Sequence, residues 1–167
     1  MTAFLTTNIG SMPRRSWLFS NQPGLDGKHD HYGTGGTWML PEKFLSAAQD
    51  DATIIAINLQ EKAGLDIITD GEQRRKNYVT YLTSNMSGFD YEKLQPKEMA
   101  GGRRTLLAGR CVGPIPHQKS LIVKDLEFTL SKTKKPVKIT LPGPMTVVDS
   151  TVDEFYGNER EMAFAWA

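Results

Sequence analysis

Residues 41 to 75 constrain the fold more than any other stretch of this chain. Pro41 opens a run in which Leu45, Ala48, Ala52, Ile55 and Leu59 recur at three- and four-residue spacing, and Gly64 stops it. The pattern predicts an amphipathic helix from 41 to about 63. A short apolar run follows at once, Asp66-Ile67-Ile68-Thr69, and it ends abruptly at Asp70-Gly71-Glu72, with Arg74-Arg75 behind. A buried strand that delivers a carboxylate to the open end of a sheet has this form, and α/β proteins place small-molecule chemistry at such strand ends. A preceding strand candidate, residues 4–9, is punctuated by Gly10-Ser11 and Pro13. The helix then becomes the crossover of a βαβ unit, which demands two parallel strands.

The same alternation returns later in the chain. Ile122, Leu126 and Leu130 sit four apart on one helical face, Pro136 breaks that helix, and Val137-Lys138-Ile139-Thr140-Leu141 reads as a third strand ended by Pro142-Gly143-Pro144. Residues 145–167 are helical in composition, with an interruption around Gly157. Between the second strand and this block, residues 76–119 form an excursion: a short helix near 78–82, then hairpin strands at 106–108 and 111–112 around Gly109. Residues 20–38 are a glycine- and proline-rich loop carrying Lys28-His29-Asp30-His31. The order β–α–β–excursion–α–β–α predicts an α/β fold, a parallel sheet wrapped by helices. Three parallel strands are few, and the pattern runs to Ala167 without a cap. The expectation is therefore the front portion, about three β/α units, of a (β/α)8 TIM barrel, incomplete alone, since a full barrel takes eight strands and about 250 residues.

Composition narrows the function. At 167 residues, 39% hydrophobic and 23% charged, with a net charge of +1, the chain has the profile of one ordinary globular domain and offers no electrostatic footprint for nucleic acid. Arg103-Arg104 and the lysines at 132, 134 and 135 read as solvated surface. No apolar run reaches 18 residues, and the N-terminus lacks the basic and apolar regions of a secretory signal, so the expected location is cytoplasmic, away from membranes. Cys111 is the one cysteine. Without a second cysteine it does not suggest zinc, which needs three or four ligands; a small buried residue or a backbone contact fits it better. His29 and His31 are read as loop residues rather than metal ligands. No metal site is expected in the chain.

Four motifs punctuate the pattern in order: Ile9-Gly10-Ser11 with Pro13, Asp70-Gly71-Glu72, Gly109-Arg110-Cys111-Val112 with Pro114, and Leu141-Pro142-Gly143-Pro144-Met145-Thr146. Together they resemble the catalytic barrel of the cobalamin-independent methionine synthase family, over nearly the whole chain. The resemblance implies methyl transfer from a methyltetrahydrofolate to the thiol of homocysteine, with zinc activating the thiolate and the zinc ligands outside this chain. It implies that Ile9, Gly10 and Ser11 meet the amino-acid end of the substrate and that Glu72 receives its α-ammonium group. Arg110 and Cys111 would lie along the donor site. Asp70, by its own chemistry, orders the turn. Two features depart from the family pattern: the route of residues 20–38, and Asp149-Ser150 where an aromatic residue would stack on the pterin. Alternatives are alkyl transfer to another thiol such as coenzyme M, and a non-catalytic half-barrel partner completed by the remaining barrel segment or by self-association.

Overall fold

The computed structural model describes residues 4–20, 36–99, 104–116 and 121–167. The middle of the glycine-rich loop, with His29 and His31, lies outside them, as does Arg103. The chain divides into two compact units. The first comprises residues 1–20, 37–75 and 120–140; the second comprises 21–36, 76–119 and 141–167.

In the first unit, two short strands, β1 (Phe19–Ser20) and β2 (Thr37–Trp38), pair antiparallel and close the two ends of the glycine-rich loop. Helix α1 (Glu42–Lys62) follows directly, with Pro41 at its N-cap and Gly64, at φ 79°, just past its end. Helix α3 (Leu121–Leu130) is the second helix of this unit. The predicted parallel arrangement is present in minimal form. Thr7 bridges Ile67 and Ile68 bridges Val137, both parallel, so three segments lie side by side in the order first, second, third. Backbone bonds from the N–H groups of Asp66 and Ile67 to the Thr6 carbonyl, and from Lys138 N–H to the Ile68 carbonyl, tie them together. Each outer segment is bridged on one side only, and the pairing stays at single bridges rather than extended ladders.

The buried faces of both helices differ from the apolar periodicity. In α1 the buried residues are Ala52, Thr53, Ala56, Ile57 and Gln60, whereas Leu59 is exposed. The reason is Gln60. Its amide donates to the Thr69 carbonyl at 2.8 Å and accepts the Thr69 N–H at 3.0 Å, so a side chain completes the backbone bonding of the second segment. A buried amide that satisfies two backbone groups is favourable where an apolar residue would orphan them. In α3, Ile122 is buried together with Asp125 and Thr129, and Leu130 points to solvent. Apolar packing in this unit centres on Leu18, Phe19 and Ala52, with Trp38, Leu40 and Leu45 against them.

The second unit holds helix α2 (Thr80–Thr83), strands β3 (Phe89–Met99) and β4 (Arg104–Cys111), helix α4 (Pro144–Ser150), strand β5 (Val152–Asp153) and helix α5 (Glu159–Trp166). β3 and β4 form an antiparallel pair, and β5 adds parallel to the far edge of β4. The hairpin therefore does not turn at Gly109, which sits inside β4. Gly109 is required for another reason: a Cβ there would collide with the ring of Tyr91. The Tyr91 hydroxyl is hydrogen-bonded to Thr83, which fixes the ring over the strand. Burial pushes the Tyr91 phenol above its ordinary pKa. The core gathers Val79, Cys111, Val147, Val148 and Met162, with Phe89 and Trp166 packed edge to face beside them. No helix among the described residues is long and apolar enough to cross a membrane.

Candidate functional site

In the first unit, Gly10 follows the Thr7 bridge, Glu72 follows Ile68, and Thr140 follows Val137. The carboxyl ends of three parallel segments thus deliver a glycine, a carboxylate and a hydroxyl to one edge. Glu72 adopts a left-handed backbone, φ 54°, the one described non-glycine residue that does so. Such a conformation costs a side-chain-bearing residue about 1 kcal/mol or more and persists where the surroundings hold it. Here Asp70 holds it, its Oδ1 accepting the Glu72 N–H at 3.1 Å. Asp70 orders the turn as aspartate chemistry predicts, and its second oxygen does something the sequence did not reveal. Oδ2 accepts from Arg75 Nη2 at 3.1 Å, in an ion pair with both side chains buried.

Arg75 is fully buried. Its Nη1 donates to the Thr140 carbonyl at 2.9 Å and lies 3.0 Å from Thr140 Oγ1. Thr140 Oγ1 in turn lies 2.7 Å from Glu72 Oε1. Arg74 points elsewhere, to Asp50 and to Asp125 at 3.4 Å, with its guanidinium over the Phe128 ring. The neighbouring arginines are thus directed to other carboxylates, and Glu72 Oε1 is met by a neutral hydroxyl. Arg14 closes the other side: its guanidinium donates to the Arg75 carbonyl and stacks 4.7 Å over Phe19. Burial is the main cause that lowers its pKa, with the Glu72 charge opposing.

Gly10 is buried against this carboxylate. A Cβ at Gly10 would stand 2.7 Å from Glu72 Oε1 and 3.3 Å from the Thr140 methyl, so only glycine allows the approach. The loop is stitched to the acidic turn by Met12 N–H to the Gly71 carbonyl at 3.0 Å and by the Gln73 amide to the Met12 carbonyl at 3.2 Å. Ser11 is exposed, and Ile9 is 91% exposed. Gly10 and Glu72 are in direct contact, while Ile9 and Ser11 stand at the solvent side of the same loop. Glu72 is only 7% exposed.

Arg110 and Cys111 belong to the second unit. Arg110 is committed to Asp90 and to Glu154, the latter at 2.6 Å. Desolvation, the largest single influence, lowers its pKa, but the Asp90 and Glu154 carboxylates together outweigh it and raise the guanidinium, whose terminal nitrogens are engaged within the protein. Cys111 is completely buried; its thiol faces the Gly113 carbonyl at 3.4 Å and is pushed up in pKa by burial. It is a core residue whose chemistry is suppressed. Among the described residues, no three His, Cys, Asp or Glu side chains converge to hold a metal ion.

Sequence reasoning missed Thr140, Arg75 and the second role of Asp70. Thr140 carries no local signal, since it looks like any strand threonine. Its partner Glu72 is 68 residues away.

Parallel segments bearing a turn-locked carboxylate at their carboxyl edge define an α/β protein, and in that class strand ends are where small-molecule sites are usually built. A family model described as the cobalamin-independent synthase catalytic domain matches residues 4–163. Among curated relatives, the methionine synthase of Sulfolobus acidocaldarius is 27% identical over 165 residues, covering 98% of this chain and 45% of that protein. That of Thermococcus kodakarensis is 26% identical over 160 residues, covering 95% and 44%. Among solved structures, a B12-independent methionine synthase from Shewanella sp. W3-18-1, in complex with selenomethionine, is similar at TM-score 0.82 and 31% identity, covering 96% of this chain and 44% of that one. The chain belongs to the cobalamin-independent methionine synthase family, within its catalytic domain. It spans somewhat under half the length of the relatives it matches.

Proposed function

We propose that this chain supplies the amino-acid-binding side of a methyltransferase that moves a methyl group from a methyltetrahydrofolate-type donor to the thiol of homocysteine. The observation that carries the reading is Glu72: a nearly buried carboxylate in a locked turn, one oxygen held by a neutral hydroxyl. A rigid carboxylate of this kind suits an α-ammonium group, because a charge-assisted bond gains strength where water is thin. On this reading Gly10 lets the ligand and the backbone come close, and the exposed Ser11 hydroxyl and the backbone of Ile9 would meet the rest of the amino-acid end. The Shewanella relative was solved with selenomethionine, an amino acid with the same α-ammonium group. In a bimolecular displacement, fixing one reactant supplies a large part of the rate.

The family's zinc does not fit the residues described here. Cys111 is buried in the core, and no convergent ligand set exists among the described residues. The ligands for that metal are proposed to lie in the part of the relatives' length that this chain does not span. The family resemblance sets Arg110 and Cys111 along the donor site. With the Arg110 guanidinium held by Asp90 and Glu154, their contribution to the donor site is proposed to be the shape of the β4 edge rather than a free cation.

On this reading the chain is the front of a (β/α)8 barrel, with 20–38 as a loop and 76–119 as an excursion between core segments. A second reading, a half-barrel partner that acts with another polypeptide, draws support from a groove lined by Pro144, Met145, Ala163 and Phe164. Met145 is 63% and Phe164 68% exposed there. Native mass spectrometry distinguishes a lone chain from a stoichiometric complex.

The main test is calorimetric titration with L-homocysteine or L-methionine. Glu72→Gln is expected to weaken binding by about 1.5–3 kcal/mol, the range for a hydrogen bond to a charged group. Unchanged affinity overturns the assignment.

A further inference from the structure

We propose that Thr140 is a positioning residue: it aims the Glu72 carboxylate at an α-amino group and so sets the preference of the site for amino acids over their des-amino analogues. The inference rests on the reading of Glu72 as the ammonium acceptor.

The argument follows from which groups can donate. A guanidinium has donors only, so the 3.0 Å contact between Arg75 Nη1 and Thr140 Oγ1 makes the threonine oxygen an acceptor there. The hydroxyl has a single proton, and an acceptor 2.7 Å away in Glu72 Oε1. Arg75 therefore orients the hydroxyl, and the hydroxyl orients the carboxylate. Arg75 does not rotate away, because it is fully buried, bonded to the Thr140 carbonyl at 2.9 Å and paired with Asp70 at 3.1 Å. Asp70 closes the circuit by accepting the Glu72 N–H. Backbone and side chain of Glu72 are thus tied to one buried Arg–Asp pair, through a carboxylate on one side and a hydroxyl on the other.

The identity of the intermediary matters. A cation in contact with Oε1 would compete with the ligand's ammonium for the carboxylate charge. A hydroxyl fixes the geometry without adding a charge of its own, and the nearby Arg14 guanidinium, which feels the Glu72 charge, is bonded to backbone carbonyls rather than to Oε1. A valine at 140 keeps the shape but removes the donor, leaving Glu72 free to turn and Arg75 Nη1 with one bond fewer.

The test is titration of the full chain with L-methionine and with 4-(methylthio)butanoate, which lacks the α-amino group. The wild type is expected to prefer methionine. Thr140→Val is expected to lose on the order of tenfold of that preference, the scale of one charged hydrogen bond, whereas Thr140→Ser retains it. Thr140→Ala replaces T140V if that variant does not fold, as judged by its thermal unfolding. In the double variant with Glu72→Gln, the loss should be no greater than in E72Q alone. Equal weakening of both ligands in T140V, or an unchanged ratio while E72Q loses it, overturns the positioning role and leaves the Glu72 reading standing. An E72Q protein with the wild-type ratio, or a wild type that binds neither ligand, overturns both.

Discussion

Two of the arginines that hold carboxylates, Arg75 and Arg110, do so under different conditions. Arg75, in the first unit, is wholly buried and pairs with a buried Asp70. Arg110, in the second, pairs with Asp90 and Glu154, whose side chains are 25% and 32% exposed. A partly exposed pair gains less, because water still reaches both ions and salt screens them. A buried pair has lost that solvation, so its internal bonds must be complete, and removing one partner strands a charge. The first cluster is therefore a rigid frame on which a site can be built. The second is a clasp on a β-ribbon.

The sharpest way to break that contrast is Arg75→Met beside Arg110→Met. Arg75→Met is expected to cost about 3–5 kcal/mol in urea unfolding, as Asp70 is left buried without its cation. Arg110→Met should shift the midpoint far less, and its effect should shrink further in high salt. Equal losses would mean that burial is not what separates the two clusters.

The two close-approach glycines give a second comparison. Gly10→Ala puts a methyl against Glu72 Oε1 and should weaken L-methionine binding by about 1–3 kcal/mol, an overpacking cost. Gly109→Ala meets the Tyr91 ring and should lower the unfolding midpoint instead. Calorimetry and denaturation on both variants separate the effects. A Gly109→Ala protein that loses binding with normal stability would blur the distinction between the units.

Acid offers a smaller probe of each unit. The Thr6 hydroxyl and N–H hold the Asp66 carboxyl below the ordinary range in the first unit. The Glu92 N–H, aided by Arg110, does so for Asp90 in the second. A depressed folded-state pKa means that stability is in place above the ordinary aspartate value of about 3.9 and is lost as pH falls through the folded value. Unfolding midpoints should therefore drop in this acid window, with Asp66→Asn and Asp90→Asn each flattening part of the decline. The smallest effect concerns Cys111: with its thiol buried and raised, iodoacetamide should label it only on unfolding.

Much of the fold was legible because its signals are local. The spacing of apolar residues and Gly64 located α1, Pro136 separated α3 from the third segment, and Gly157 marked the break before α5. The Asp70 turn was legible for the same reason, since an aspartate reaches a backbone N–H two residues on. The misreadings share a cause. Gly109 looked like a turn, but the feature that demands glycine is a tyrosine ring from the neighbouring strand. The leucines at 59 and 130 looked like core, but Gln60 and Thr129 occupy those faces because polar partners there are satisfied. β5 left no signal, being two residues that gain strand character only by joining β4.

The amino-acid sequence alone determined the α/β alternation, the acidic strand end and the family to which the chain belongs, because each is written in neighbouring residues or in ordered motifs. Only the tertiary structure decided what surrounds Glu72. Register between parallel segments brings Thr140 to Glu72 and Arg75 to Thr140, across separations of 68 and 65 residues. A strand threonine becomes a link between a buried arginine and that carboxylate only when the fold brings both to its hydroxyl, which accepts from one and donates its single proton to the other.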